Sequence, residues 1–286
     1  MLDTAFQSAP MIDPSAAPTR AQLAELIAAR LTADLPRLRD AFIHSGPIRH
    51  VIVDNLLPSE VAESVYRAFP AFDSMVRHVS LRESKSIAVQ MNRYAPLAEE
   101  SIYAFQDAEV VRLVGQITGL LGLQPDPHLY AGGLSAMKAR DYLNPHIDNS
   151  HDKDRRLWRV LNLLYYVTPG WSPDRGGSLE LWPDGPGTAP RVIPSLFNRL
   201  VIMETHQTSW HSVNPISGDG IRSCVSNYYF SPEPARADDE FHITFFRGRP
   251  ENRLQDLALL ADGYARSGLR KLFRKGVREN PHVYKR

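Results

Sequence analysis

The chain has 286 residues and is 43% hydrophobic, enough to bury a large core as one domain with appendages or as two small domains. Its 33 Lys+Arg against 32 Asp+Glu leave a formal net charge of +1, so no general attraction to nucleic acid or an anionic membrane is expected. Cys224 is the one cysteine; this excludes an intramolecular disulfide and a Cys-rich metal site, and suits a reducing compartment.

Residues 1–20 are rich in Ala, Pro and Ser without hydrophobic periodicity and read as a flexible lead-in. They show no basic segment followed by an apolar one, and no uncharged apolar run approaches the ~18 residues of a membrane span, so a cytoplasmic protein is expected. From Thr19, Leu23, Leu26, Ile27 and Leu31 recur at helical spacing, predicting a helix broken near Pro36. The stretch "PIRHVIVDNLLPSEVAESVYRAFP" predicts a short strand over His50 to Val53, a turn, and a helix capped by Ser59.

Between about residues 128 and 232, β-branched and aromatic residues gather in short runs separated by Gly, Pro, Asn and Asp. "RVLNLLYYV", "GSLELW", "RLVIMET" and "IRSCVSNYYF" are the predicted strands, with Gly176–Gly177 and "SGDG" at 217–220 as hairpin turns. Helices precede these strands without alternating with them, so an antiparallel sandwich or barrel is expected rather than a parallel sheet. Residues 251–278 read as a basic helix with Leu254, Leu257, Leu260 and Leu269 apolar, either a solvated face or an interface. The expected organisation is the lead-in (1–20), a catalytic domain with N-terminal helices (21–235), and a helical extension packed on it (236–286).

The chemistry concentrates in "NPHIDNSHD", residues 144–152. In an extended segment His146 and Asp148 point to one face, so both can hold one metal. His211, in "TSWHSVNP", completes two imidazoles and one carboxylate, a facial triad whose open positions suit non-haem Fe(II) and O₂. Arg222, eleven residues beyond His211, offers a bidentate fork for the carboxylate of a diacid. His206 competes as the distal ligand, but the spacing to Arg222 selects His211. His151 and Asp152 are expected in a turn or lid. Arg222, Cys224, Ser226 and Tyr228 share a strand face, so Ser226 and Tyr228 either line the pocket or serve packing and cross-strand pairing.

With these motifs, residues ~128–232 resemble the iron(II)/2-oxoglutarate-dependent dioxygenase superfamily, and more narrowly its prolyl-hydroxylase-like branch. "VIVDNLLPSEVAESVYRAFP" is similar to that branch's leading strand and helix. The resemblance implies a mainly β protein with flanking helices (α+β) around a double-stranded β-helix (jelly-roll, cupin-like) core. It also implies that His146, Asp148 and His211 bind Fe(II), and that Arg222 binds the distal carboxylate of 2-oxoglutarate. Tyr166, which shares a strand face with Asn162 and Leu164, is a second candidate for that carboxylate, or else a core tyrosine. Collagen-type prolyl hydroxylases carry Lys where this chain has Arg222, which sets it nearer other members. Halogenating relatives lack the carboxylate of the triad, so Asp148 favours hydroxylation or a related oxidation.

The implied reaction consumes 2-oxoglutarate and O₂ and releases succinate and CO₂. A small polar, amino-acid-like or natural-product substrate is expected, with Arg82, Lys85, Arg93, Lys138 and Arg140 as rim candidates. A peptide hydroxylase and a non-catalytic jelly-roll binding protein are the alternatives, and a homodimer is a possible assembly.

Overall fold

The computed structural model describes residues 17–272 and Tyr284. Residues 1–16 of the expected lead-in and residues 273–278 of the expected basic helix lie outside the described residues, as do the side chains from Arg270 to Leu272.

Thr19 opens the first helix by accepting from the Gln22 N–H, while the Gln22 side chain accepts from the Thr19 N–H at 2.9 Å. This reciprocal cap satisfies donors that a helix start leaves unpaired. Helix α1 (Arg20–Ala33) buries Leu23, Leu26, Ile27 and Leu31. It stops at Asp34, and α2 (Leu35–Ile43) begins with Pro36 in its first turn, where a missing N–H costs nothing. Strand β1 (His50–Asp54) follows as expected. Helix α3 (Ser59–Arg67) differs in its cap: Pro58 holds that position, and no side chain closes the end. Helices α4 (Pro96–Tyr103) and α5 (Ala108–Thr118) complete the N-terminal layer.

The remaining strands are β2 (Val76–Val79), β3 (Glu83–Ala88), β4 (Gln124–Pro125), β5 (Gly133–Met137), β6 (Tyr142–Ile147), β7 (Trp158–Tyr166), β8 (Leu179–Leu181), β9 (Arg191–Ile193), β10 (Arg199–Glu204), β11 (His211–Val213), β12 (Arg222–Ser231) and β13 (Phe245–Phe246). They pair in the order β1-β10-β7-β12-β5-β3-β6-β11-β8-β9, antiparallel throughout. The sheet curls because β3 divides its register: Ser86, Ile87 and Ala88 pair with β5, and Glu83 and Ser84 with β6. One wall is thus β1, β10, β7, β12 and β5, the other β6, β11, β8 and β9. This is the expected jelly roll.

Period-2 alternation sorts the main wall's side chains. Leu161, Leu163 and Tyr165 of β7 join Leu200, Ile202, Val225 and Tyr229 in the core with the buried faces of α1, α2, α4 and α5. Asn162, Leu164 and Tyr166 face the interior between the walls.

Two expected turns take another role. Gly176–Gly177 does not join a hairpin, because β7 lies in the main wall and β8 in the other. Residues 217–220 likewise cross from β11 to β12, strands that pair with different neighbours. Local turn chemistry cannot distinguish a hairpin from a wall-to-wall crossing. Gly177 has φ +72°, and a Cβ there would lie 2.8 Å from Arg222 Cδ, so this glycine leaves room for that arginine.

Asp141 ties the β5–β6 turn to β2 and β3. Its carboxylate accepts from Arg77 Nη1 (2.8 Å), Ser84 Oγ (2.7 Å) and the Lys138 N–H (2.9 Å). Burial raises its pKa, but these donors, Arg77 foremost, outweigh burial and hold the carboxyl below its ordinary value. A lowered folded-state pKa adds stability above the unfolded value of ~3.9, lost as pH falls through the folded value. Asp141→Asn is therefore expected to cost about 2 kcal/mol at pH 7, discounted for the partial exposure of Arg77, and to flatten the acid limb of stability. Urea denaturation at pH 7 and pH 3 reads both effects.

Helix α6 (Arg253–Leu272) follows β13 and packs differently from its expected apolar side. Leu254, Leu257 and Leu269 are exposed, while Leu259 is buried. A Cβ at Gly263 would lie 2.4 Å from the Phe245 ring, so this glycine permits the close approach of α6 to β13. Among the described residues no helix is long and apolar enough to cross a membrane.

Candidate functional site

His146 lies near the end of β6, and Asp148 follows one residue beyond its last residue, so both side chains reach the same side. His211 opens β11 and pairs directly with His146 across the β6–β11 ladder, bringing the ring centroids to 4.1 Å. All three residues are buried. His146 Nε2 lies 3.8 Å from Asp148 Oδ1, and His211 Nε2 lies 3.7 Å from Asp148 Oδ2.

The backbone fixes which nitrogens are available. His146 Nδ1 donates to the Asn144 carbonyl and His211 Nδ1 to the Ser209 carbonyl, each at 2.9 Å. With Nδ1 protonated, each Nε2 keeps its lone pair for a metal. Burial first, then the neighbouring His211, lowers the His146 pKa to about 3, so the ring is neutral near pH 7. Burial would raise the Asp148 carboxyl, but Arg159, His211 and His146 together hold it below its ordinary value.

The donor set fits an iron ion. One ligand atom from each residue lies within 4.8 Å of the others, compatible with ~2.1 Å bonds to one shared centre. Asp148 Oδ2 is buried without a hydrogen-bond partner, an arrangement that a cation would relieve. Two nitrogens and a carboxylate on one side suit a metal with open positions. Phe246, paired with His146 through β13, stacks on its ring at 5.0 Å and 16°.

A second unsatisfied group lines the same ~620 Å³ cavity. Arg222 is buried; its Nη2 donates only to Met137 Sδ at 2.8 Å, and its Nε has no partner. Among the described residues no carboxylate pairs with it. The Arg222 guanidinium sits 5.3 Å from the Tyr166 ring centroid, and the buried Tyr166 hydroxyl is also unpartnered. Burial, with Cys224 next, raises the Tyr166 pKa, keeping its hydroxyl a hydrogen-bond donor. A bidentate cation and a phenol without protein acceptors make a receptor for a carboxylate.

Ser226, Cys224 and Tyr228 line the cavity on the same β12 face as Arg222, as alternation predicts. The Tyr228 hydroxyl accepts from Asn162 Nδ2 at 3.1 Å. His206 is buried but does not line the cavity, which removes it as a competing ligand. His151 lies at the rim against Trp158, with ring centroids 4.1 Å apart, and Asp152 accepts from the N–H groups of Arg156 and Leu157. Of the rim candidates only Lys85 lines the cavity. Arg82 pairs with Asp262, while Arg93, Lys138 and Arg140 are exposed elsewhere.

Arg159 was hidden from the alternation pattern. Counting back from Tyr166, Leu164 and Asn162 would turn it outward, yet it lines the cavity and its Nη1 lies 3.5 Å from Asp148 Oδ1. A bulge causes this: Tyr229 opposes Leu161, but Phe230 opposes Arg159. One extra residue in β7 re-aims the side chain, and single-sequence periodicity cannot detect it.

This geometry agrees with the comparisons. Residues 132–230 match the model of the 2OG-Fe(II) oxygenase superfamily, whose description names iron(II) and 2-oxoglutarate. Mouse prolyl 3-hydroxylase OGFOD1 is 31% identical over 97 residues, covering 32% of this chain and 17% of that relative. The chain thus aligns with under a fifth of that protein's length. A Pseudomonas putida prolyl-4-hydroxylase structure superposes with TM-score 0.52 at 16% identity, covering 69% of this chain and 98% of its own. A Trichoplax adhaerens prolyl hydroxylase in complex with a hypoxia inducible factor peptide fragment gives TM-score 0.50 at 20% identity, covering 77% and 96%. At these identities the structural likenesses carry the fold.

Proposed function

We propose that this protein is a non-haem iron(II)- and 2-oxoglutarate-dependent oxygenase that oxidises an unactivated C–H bond of a small polar molecule, amino-acid-like or a natural-product intermediate. In the hydroxylation form, the substrate C–H, 2-oxoglutarate and O₂ become a C–OH, succinate and CO₂. The observation that carries this reading is the presence, in one cavity, of a buried His146–Asp148–His211 cluster and an unpartnered Arg222–Tyr166 pair.

In this reading His146, Asp148 and His211 hold the iron, which when bound supplies O₂ activation coupled to oxidative decarboxylation of the diacid. Arg222 grips the distal carboxylate through its fork, and the Tyr166 hydroxyl donates to the same group. Ser226 and Tyr228 flank the co-substrate. The Asn144 and Ser209 carbonyls hold both imidazoles in the ligating tautomer. The apolar faces of Leu164, Leu179 and Val213 exclude bulk water and strengthen these charged contacts. The lone buried Cys224 supports a cytoplasmic location.

A compact substrate is supported by the cavity's ~620 Å³, within the range of small-molecule sites, which Phe241, Ile243 and Phe246 beyond β12 also line. The match to a prolyl 3-hydroxylase favours a second reading, hydroxylation of a protein or peptide.

Anaerobic addition of Fe(II) and 2-oxoglutarate should produce a weak visible charge-transfer band, and air should then yield succinate. A colourless complex that forms no succinate would sink the oxygenase reading. Screening amino acids, peptides, and sugar and nucleotide metabolites by succinate release and product mass separates the two substrate classes. Turnover confined to peptides would establish the second.

A further inference from the structure

Arg159 is a buried cation whose donors are unspent. It is 5% exposed, and its guanidinium makes no hydrogen bond among the described residues, with Nε enclosed and unpartnered. Its surroundings are ring faces: its Cζ lies 4.5 Å from the Tyr228 centroid, 5.9 Å from Phe230 and 6.0 Å from Tyr130. Such faces stabilise the cation but accept few of its N–H groups. The one nearby carboxylate is Asp148, whose Oδ1 lies 3.5 Å from Arg159 Nη1 without a hydrogen bond and whose charge a metal on the cluster would neutralise. With that metal bound, a buried guanidinium whose donors are unspent favours a second anion beside it.

We propose that Arg159 is the docking point for an oxyanion of the substrate, so the molecule oxidised here carries a carboxylate or phosphate group. This rests on the oxygenase reading and adds the substrate's charge to it.

The diacid co-substrate does not fill this role. Arg222 begins β12, whereas Arg159 faces Phe230 near its other end. In the oxygenase reading both ends of the diacid are already taken, the distal carboxylate by Arg222 and the 2-oxo acid end by the metal that His146, Asp148 and His211 hold. Of the other Lys and Arg side chains besides Arg222 that line the cavity, Lys85 pairs with Glu83 at 2.8 Å, Arg266 pairs with Asp262 at 2.9 Å, and Arg155 packs over the Phe241 ring at 4.1 Å. The bulge that turns Arg159 into the cavity is a local departure from regular pairing.

The test uses the full chain loaded anaerobically with Mn(II) and 2-oxoglutarate, titrated calorimetrically with inorganic phosphate and, separately, acetate. Binding of at least one probe is expected, weakened at least tenfold in Arg159→Gln and partly restored in Arg159→Lys. Mn(II) and 2-oxoglutarate affinities of Arg159→Gln should stay within twofold of the parent. The Mn(II)-loaded Arg159→Met protein should melt no lower than the Mn(II)-loaded parent, because the metal then neutralises Asp148 and the buried guanidinium has no other anion.

Phosphate binding alone identifies a phosphorylated substrate, and acetate binding alone a carboxylated one. Equal probe binding in parent and Arg159→Gln, or none in either, overturns the proposal. Loss of 2-oxoglutarate affinity in Arg159→Gln would assign the arginine to the diacid, and loss of Mn(II) affinity would make it a positioning residue for Asp148. A lower melting temperature of Arg159→Met would make it structural. Failure of the parent itself to bind Mn(II) and 2-oxoglutarate is a different result, which overturns the oxygenase reading beneath.

Discussion

Asp148→Ala is expected to abolish 2-oxoglutarate turnover and to weaken Fe(II) or Mn(II) binding by more than about a hundredfold. Replacing groups that merely orient metal ligands costs 10–100-fold, and Asp148 is the sole anionic member of the cluster. His146 and His211 retain their backbone hydrogen bonds in the variant, so their Nε2 atoms still converge. The loss therefore belongs to the missing carboxylate rather than to a collapsed site. Asp148→Asn keeps the side-chain shape and removes the charge, and should fall between the two. Metal titration followed by succinate assay reads both quantities, and circular dichroism checks the fold. Full turnover in Asp148→Ala would refute the triad assignment even in a working oxygenase.

The parts of the site legible in the sequence were those governed by short-range geometry. His146 and Asp148 share a face because strand side chains alternate, and Arg222, Ser226 and Tyr228 line one cavity for the same reason. His211 could be joined to them only through its spacing from Arg222 and the family resemblance; the register opposing His211 to His146 is a long-range pairing that no local pattern specifies. Strands β2, β3 and β6 carry little strand signal because their runs are short and polar, as in "ESKSIA" and "YLNPHI". Yet β3 is the element that joins the two walls. Arg159 was missed where a bulge breaks the alternation. Gly176–Gly177 was misassigned because a positive-φ glycine signals a hairpin turn or a close approach equally well. The hydrophobic pattern thus defined the layers, while pairing register and backbone irregularities placed the charged groups.

Arg222→Leu is expected to raise the Kd for 2-oxoglutarate about a hundredfold while leaving metal affinity near that of the parent. A buried, charge-assisted bidentate contact contributes roughly 2–3 kcal/mol, and 1.4 kcal/mol corresponds to a factor of ten. The arginine has no protein carboxylate to lose among the described residues, so its removal breaks no ion pair. The ligand-free variant should consequently melt at or above the parent temperature, opposite to the behaviour of a structural arginine. Arg222→Lys retains a charge but not the fork and should recover part of the affinity. Tyr166→Phe removes the unpartnered hydroxyl alone and should cost about tenfold or less. Calorimetric titration of the Mn(II)-loaded protein with 2-oxoglutarate measures each step. An unchanged Kd in Arg222→Leu would remove the diacid from this arginine, whereas a Kd that rises together with the metal Kd would show that the substitution had disturbed the metal cluster.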